Sequence, residues 1–141
     1  MAAADQNIGV GAKPIAGAEI LLDGSRALLD AQWTYWAGPG FKSALPIKWK
    51  IVDDPVDQGT VIMTDDRAAD GGNFGAADIV TKKAYRDFQL HIEFLIRQPG
   101  GNSGVMYRVS REKGPAYETG AEYQILDDAA HQDGKSPLTS A

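Results

Sequence analysis

Two runs of the sequence, GGNSGVMYR and GAEYQILDD, combine strand-forming residues with polar side chains. The polar residues of interest are Asn102, Arg108, Glu122 and Gln124. Planar amides, carboxylates and guanidinium groups each form several directional hydrogen bonds, and groups of this kind hold polyols in proteins. The two runs therefore predict a surface that binds carbohydrate.

Both runs are predicted to be β-strands, and alternate side chains of a strand project to the same side. The residues predicted to share one face are Asn102, Gly104, Met106 and Arg108 on the first strand and Glu122, Gln124 and Leu126 on the second. Pairing that is symmetric about Pro115 would place Arg108 opposite Glu122 and Met106 opposite Gln124. Gly104 would then leave a gap in which a ligand approaches the backbone, and Glu93 would extend the surface from a neighbouring strand.

The same pattern also fits an ordinary antiparallel sheet, which has one face in water and often carries Arg–Glu pairs of small energetic value. Such a face could equally contact another domain or protomer. His91 could extend the surface, but a solvent-facing strand residue is the simpler interpretation. His131 lies in an acidic loop that could form a metal or acid/base cluster or could simply be solvated. Trp33, Trp36 and Trp49 could stack on sugar rings, but packing over the core is the favoured interpretation.

The clearest period-two pattern lies at residues 87–97, where apolar side chains alternate with polar ones; the apolar members are Phe88, Leu90, Ile92, Phe94 and Ile96. Such alternation predicts a strand with one face on a core. A Gln-Pro-Gly-Gly break follows at residues 98–101. This break predicts a hairpin that returns through a strand at residues 103–109.

The rest of the chain is also predicted to be β-rich. Further strands are predicted at residues 18–23, 47–53, 60–63 and 122–127, with loops at 37–41 and 65–75 and a loop-rich region around Trp33 and Trp36. No convincing helix is predicted. Residues 1–17 are interpreted as a flexible lead-in and residues 18–141 as one domain. Many short strands separated by turns predict an all-β fold, an antiparallel sandwich or jelly roll.

Composition excludes several classes of function. The 141 residues carry a net charge of -5 and no cluster of basic side chains, which argues against nucleic acid as a partner. The absence of cysteine excludes a disulfide framework, a thiolate zinc site and a cysteine nucleophile. No apolar run approaches the roughly 18 residues that a membrane span requires. Phosphate-loop, dinucleotide, zinc-protease and serine-hydrolase motifs do not occur.

Three blocks, DIVTKKAYRDFQLHIEF, GGNSGVMYR and TGAEYQILDDAAHQDGK, resemble in order the 3-keto-disaccharide hydrolase domain family. Earlier segments are similar more loosely, since Leu22 and Ser25 depart from the usual residues. The resemblance covers residues 19–141 and implies a concanavalin A-like jelly roll, commonly in exported bacterial proteins. We therefore expect a periplasmic or extracellular location. The family domain continues beyond the position that matches Ala141, so we expect this chain to hold an incomplete jelly roll.

The resemblance implies activity on glycosides that have been oxidised to a ketone at C3. The ketone acidifies the C2 proton, so a general base can remove it; the enolate then expels the C1 aglycone, and water adds to the enone. This scheme does not need the two carboxylates of an ordinary glycosidase. The alternative is a non-catalytic carbohydrate-binding module on the same jelly roll.

Matched motif by motif, the resemblance implies roles for the polar residues. Asn102 and Arg108 would bind substrate or stabilise the oxyanion, with Gln124 beside them. Glu122 is implied as the base, and His131 is the second candidate.

A divalent cation would suit the stabilisation of an enolate and could draw on His131, Glu122 or Asp127, but no ligand set is specified. Glu93 and Asp127 are further candidates for substrate binding. Asp127 could equally cap the turn at the end of its strand. The sequence leaves the sugar, its linkage and the oligomeric state open.

Overall fold

A computed structural model describes residues 11–36, 46–64, 78–110 and 115–136. The chain divides into two compact units, and among the described residues the first unit extends to His91 and the second begins at Ile92. The regular structure consists mostly of short strands in two-stranded antiparallel sheets, with one short α-helix. The all-β prediction is therefore confirmed, whereas a jelly-roll arrangement of these strands stays a prediction.

The first unit contains a seven-residue helix, α1, at Arg26–Gln32. Its N-terminus is capped by Ser25, whose Oγ atom accepts a hydrogen bond from the N–H of Leu28 at 3.1 Å. The prediction that this region is loop-rich and without a helix is wrong, because a serine cap followed by Arg, Ala and Leu is a helix-start signal.

The predicted strand at residues 18–23 is also wrong, since these residues pair with no described strand. Polar groups of this segment accept hydrogen bonds from outside any strand ladder. The Leu21 carbonyl accepts a hydrogen bond from Trp33 Nε1 at 2.9 Å, and the Asp23 carboxylate accepts one from the Ser25 N–H at 2.9 Å. An apolar run of this length specifies burial more firmly than it specifies strand pairing.

The described residues of the first unit also form four short strands. Strand β1 (Trp33–Tyr35) pairs with β4 (Ile79–Thr81), and β2 (Lys50–Asp53) pairs with β3 (Thr60–Met63), both antiparallel. The prediction for residues 60–63 is confirmed, and the strand predicted at 47–53 begins only at Lys50. Strand β4 was not predicted.

The core of the first unit is formed by Leu29, Tyr35 and Ile47. Trp33 and Trp49 are partly buried against this cluster, which confirms core packing as their interpretation. A hydrogen bond from the N–H of Lys48 to the Tyr35 hydroxyl oxygen, at 2.6 Å, accounts for a polar atom that would otherwise be costly to bury.

The second unit contains the antiparallel pair β5 (Asn102–Tyr107) and β6 (Ala121–Leu126), with short 3-10 helices at Ala116–Glu118 and Gln132–Lys135. The predicted strands at residues 103–109 and 122–127 are thus confirmed, with shifts of one or two residues at their ends. Sequence periodicity rarely determines strand boundaries more closely than this.

The strand predicted at residues 87–97 is wrong, since these residues form no ladder with any described strand. The predicted hairpin to β5 is therefore wrong as well. Phe88, Leu90 and Phe94 are 50%, 48% and 55% exposed, so the described residues do not cover this apolar set. Alternation shows which side chains could face a core, but a strand also needs a neighbouring backbone to take its hydrogen bonds.

Some predictions fall outside the described residues. They are most of the lead-in (1–10), the loop at 37–41, the loop at 65–75 and the last residues of the domain (137–141). Among the helices that the structure describes, none is long and apolar enough to cross a membrane.

Candidate functional site

Three of the four polar residues of the two opening runs, Asn102, Glu122 and Gln124, lie on the β5–β6 pair. The pairs on this face are Asn102–Leu126, Gly104–Gln124 and Met106–Glu122. The predicted shared face is confirmed for these six residues, whereas Arg108 lies beyond the end of β5. The predicted register is wrong, because each β6 residue pairs with the β5 residue two positions earlier than expected. Side chains alternate with a period of two, so an error of two residues leaves the face unchanged.

The described parts of the connection between the strands are not symmetric about Pro115. Strand β5 ends at Tyr107, because Arg108 adopts a φ of 58°. On the other side, a 3-10 helix occupies Ala116–Glu118 before β6 begins. The two arms of the connection therefore differ in conformation, and a reversal symmetric about Pro115 does not form.

An amide pair crosses the strands at one end of the face. Gln124 Nε2 donates to Asn102 Oδ1 at 2.6 Å and to the Ser103 carbonyl at 2.9 Å. Both Gln124 N–H groups are used in this way, which leaves its Oε1 as an acceptor and the Asn102 Nδ2 group as a donor. The pair thus presents one acceptor and one donor to a ligand, and this pattern matches the hydroxyls of a sugar.

Glu122 fills the space that Gly104 leaves. A Cβ atom at Gly104 would lie 2.6 Å from Cδ and 2.7 Å from Cγ of Glu122. The gap predicted at Gly104 for a ligand is therefore occupied by the Glu122 side chain. Since Gln124 is the residue directly opposite Gly104, the carboxylate and the amide pair lie on adjoining positions of one face.

Arg108 does not lie opposite Glu122 as predicted, because it follows the last residue of β5. It is exposed, and it is the non-glycine residue with positive φ in the described part of the chain. A left-handed conformation costs a residue with a Cβ about 1–2 kcal/mol. Strain of this kind often accompanies functional positions, so the backbone adds support for Arg108 as a site residue.

Asp127, at the end of β6, uses its carboxylate to organise the chain around it. The carboxylate accepts hydrogen bonds from the N–H groups of Gly100, Ala129 and Ala130 at 2.9, 3.2 and 3.3 Å. The bond from Gly100 is the main cause that lowers the pKa of Asp127 below its ordinary value. The structure thus shows the turn-capping role considered for this residue, and its contact with substrate stays a prediction.

His131 caps the second 3-10 helix. The ring Nδ1 atom accepts a hydrogen bond from the backbone N–H of Asp133 at 3.1 Å, and the backbone N–H of His131 donates to the Asp127 carbonyl at 2.9 Å. In the neutral ring, Nε2 therefore carries the proton. In this arrangement neither ring nitrogen has a free lone pair, and a role of His131 as a base stays a prediction.

Glu93 lies apart from this ladder, in the exposed segment at residues 88–97. Residues 94–99 and residues 126–128 line an open cleft of about 540 Å³. Asp127 thus borders this cleft of the second unit.

Comparison with known proteins confirms the family that the three sequence blocks resemble. Residues 17–140 match the model of the 3-keto-alpha-glucoside-1,2-lyase-like domain. The chain belongs to this family. A protein named 3-keto-disaccharide hydrolase from Bacteroides thetaiotaomicron is 30% identical over 124 residues, which is 80% of this chain and 40% of that protein. The chain thus spans less than half the length of this relative. No solved structure matches the chain.

The family chemistry raises the question of a cation, and the described side chains do not gather as a ligand set for one. No group of three or more His, Asp or Glu residues in the described segments is arranged to hold a metal ion. Of the three donors considered, Asp127 is engaged by backbone N–H groups and His131 by a helix cap.

Two features of this family member were not predicted from the sequence. One is the overlap of Glu122 with the space at Gly104, and the other is the backbone of Arg108. The glycine in a strand was a signal, since glycine there often marks a close approach. The residues around Arg108 give no signal that predicts its left-handed backbone.

Proposed function

We propose that this chain cleaves glycosides that carry a ketone at C3, with Glu122 as the general base. Family membership and the name of the relative support a hydrolase-type role in general. The observation that carries the finer proposal is the position of Glu122 over Gly104, next to the amide pair of Asn102 and Gln124. A carboxylate beside hydrogen-bonding amides can take a proton from a sugar that the amides hold.

In the proposed reaction, Glu122 takes the proton from C2, and the electron pair of the C–H bond forms the C2–C3 enolate. The enolate then reforms the C3 carbonyl as a C1–C2 double bond forms and the C1–O bond breaks. The aglycone oxygen takes up a proton from water and leaves as an alcohol, and a hydroxide ion remains. This hydroxide adds to C1 of the enone, and Glu122, whose acquired proton exchanges with solvent, returns a proton to C2 and is again a carboxylate. The balance is hydrolysis of one glycosidic bond.

The other residues would hold the sugar and stabilise charge. Gln124 Oε1 can accept from a sugar hydroxyl, and Asn102 Nδ2 can donate to one. Arg108 is exposed and directly follows β5, and its guanidinium would stabilise the enolate oxygen that develops at C3. A positive charge at that oxygen lowers the barrier, because the negative charge exists only after proton removal.

The test uses the full chain with a 3-keto-disaccharide such as 3-keto-trehalose in deuterium oxide. Release of free glucose, together with deuterium at C2 of the 3-keto product, is the expected result. The product incubated without protein controls for spontaneous exchange. Cleavage without deuterium at C2 would point to direct hydrolysis, and no cleavage across several 3-keto-disaccharides would end the proposal.

A non-catalytic carbohydrate-binding module is the second candidate. The amide pair favours it, because Asn102 and Gln124 offer a donor and an acceptor to a sugar without any need for a base. Binding of unoxidised glycans by calorimetry, without turnover of 3-keto substrates, would select this candidate.

A further inference from the structure

Gly104 and Glu122 are diagonal neighbours on the polar face of β5 and β6. A Cβ atom at Gly104 would meet the Oε1, Cδ and Cγ atoms of Glu122, all of them in the far part of that side chain. The side chain of Glu122 therefore lies along the face over Gly104, toward the strand position of Gln124. An exposed glutamate on a strand is otherwise able to extend into water.

The backbone does not explain why glycine stands at this position. Gly104 is absent from the glycines with positive φ, so its conformation is open to any residue. Glycine also weakens the interior of a strand, because it loses more conformational freedom on folding than other residues. What remains specific to glycine at position 104 is the volume that a side chain would occupy.

We propose that Gly104 is a positioning residue that places the Glu122 carboxylate for proton abstraction. The proposal rests on the proposed function of Glu122. The opposite residue, Gln124, is anchored by its bonds to Asn102 and to the Ser103 carbonyl, so it borders this space with a fixed side chain. Gly104 leaves the space that the Glu122 carboxylate occupies, and the anchored Gln124 side chain bounds that space on one side.

Proton transfer depends steeply on this placement. A base acts within hydrogen-bond reach of the proton, about 2.6–3.2 Å, and a misplacement near 1 Å can cost about 100-fold in rate. With alanine at position 104, the Glu122 atoms must move until their separation from the new Cβ reaches the 3.4–4 Å of ordinary contact. The moving atoms belong to a flexible, exposed side chain, so the fold of the two strands is kept.

The experiment measures kcat and KM for the full chain and for Gly104→Ala on a 3-keto-disaccharide. We expect kcat to fall about 10- to 100-fold with KM within about twofold. The matched control is Gly101→Ala, because a Cβ there would meet the side chain of Ile96 instead of Glu122. Thermal unfolding of both variants checks that they are folded.

A double-mutant cycle with Glu122→Asp tests whether the effect passes through the carboxylate. The shorter side chain withdraws from the space over Gly104, so Gly104→Ala should change kcat by less than about twofold in that background. Equal effects in both backgrounds, or an unchanged kcat in Gly104→Ala, would overturn the proposal. A lost fold in the variant would overturn it too, since the structure predicts that only a side chain moves.

A measurement without substrate separates this inference from the proposed function. Proton NMR should show a nuclear Overhauser contact between the Gly104 Hα protons and the Glu122 Hγ protons in the unaltered chain. Absence of this contact would refute the placement. If the chain cleaves no 3-keto-disaccharide, the proposed function fails, and the placement of Glu122 by Gly104 is then decided by these proton contacts alone.

Discussion

Gln124 and Asn102 are joined by a side-chain hydrogen bond across β5 and β6, from Nε2 to Oδ1 at 2.6 Å. The two residues are not directly opposite each other, because Gln124 pairs with Gly104 and Asn102 pairs with Leu126. The bond therefore runs diagonally along the polar face, from the position opposite Gly104 to the first residue of β5. It leaves the Gln124 carbonyl oxygen and the Asn102 amino group outside this bond, on the same face as Glu122.

Replacement of Asn102 by alanine should weaken substrate binding. The variant loses one donor to the sugar and one anchor of Gln124, so we expect KM to rise about tenfold, the equivalent of about 1.4 kcal/mol, with little change in kcat. Steady-state kinetics on a 3-keto-disaccharide check this. Ser103→Ala is the control, because its side chain projects from the other face of β5 and its carbonyl is kept. An equal effect of both changes would contradict the assignment.

Replacement of Glu122 by glutamine should remove the base and keep the shape. We expect kcat to fall about 100- to 10,000-fold while the dissociation constant of the substrate stays within a few-fold. Turnover assays and calorimetry measure the two quantities. Glu118→Gln provides a matched control, because Glu118 is exposed and lies in the 3-10 helix between β5 and β6. Full activity of Glu122→Gln would assign the base elsewhere, and loss of binding would favour the carbohydrate-binding module.

Replacement of Arg108 by glycine should separate stability from activity. Glycine relieves the left-handed backbone at φ 58° but adds freedom to the unfolded chain, so the free energy of unfolding should stay level or rise by up to about 1 kcal/mol. Activity should fall about 100-fold, since the enolate loses its cation. Urea unfolding and kinetics test both effects. Arg86→Gly, at an exposed position with ordinary φ, should show no gain in stability and no loss of activity.

An activity unchanged in Arg108→Gly would remove this residue from the site. A marked loss of stability would show that the left-handed backbone carries no strain there.

Replacement of Asp127 by asparagine should alter how stability depends on pH. The Gly100 N–H lowers the pKa of Asp127, so its carboxylate stabilises the fold above the unfolded-state pKa of about 3.9. That contribution is lost as the pH falls through the folded-state pKa. The stability difference between the two chains should therefore be constant from about pH 5 to 7 and shrink below about pH 4. Urea unfolding across this range measures it.

The neighbouring Asp128→Asn serves as the control for Asp127→Asn, since it removes a charge at an exposed position two residues beyond β6. A pH-independent difference for Asp127→Asn would show that its carboxylate is not held by these backbone groups.

A comparison of residues 87–97 with β5 shows what a period-two pattern can and cannot predict. Both have alternating side chains, yet only β5 has a partner among the described strands. Period-two alternation is a property of one segment, whereas a ladder belongs to two segments. The helix at Arg26–Gln32 was missed for a different reason, because it is short and its cap at Ser25 is the main local signal.

The shared face of Asn102, Glu122 and Gln124 was determined by the sequence by itself, because side-chain alternation is local and survives a register error of two residues. The three sequence blocks were likewise sufficient to identify the family. The folded chain was needed to show that Glu122 occupies the space over Gly104 and that Arg108 follows β5 instead of facing Glu122. Both outcomes depend on the register in which the two strands pair, and register depends on turn geometry and packing, which residue spacing does not encode.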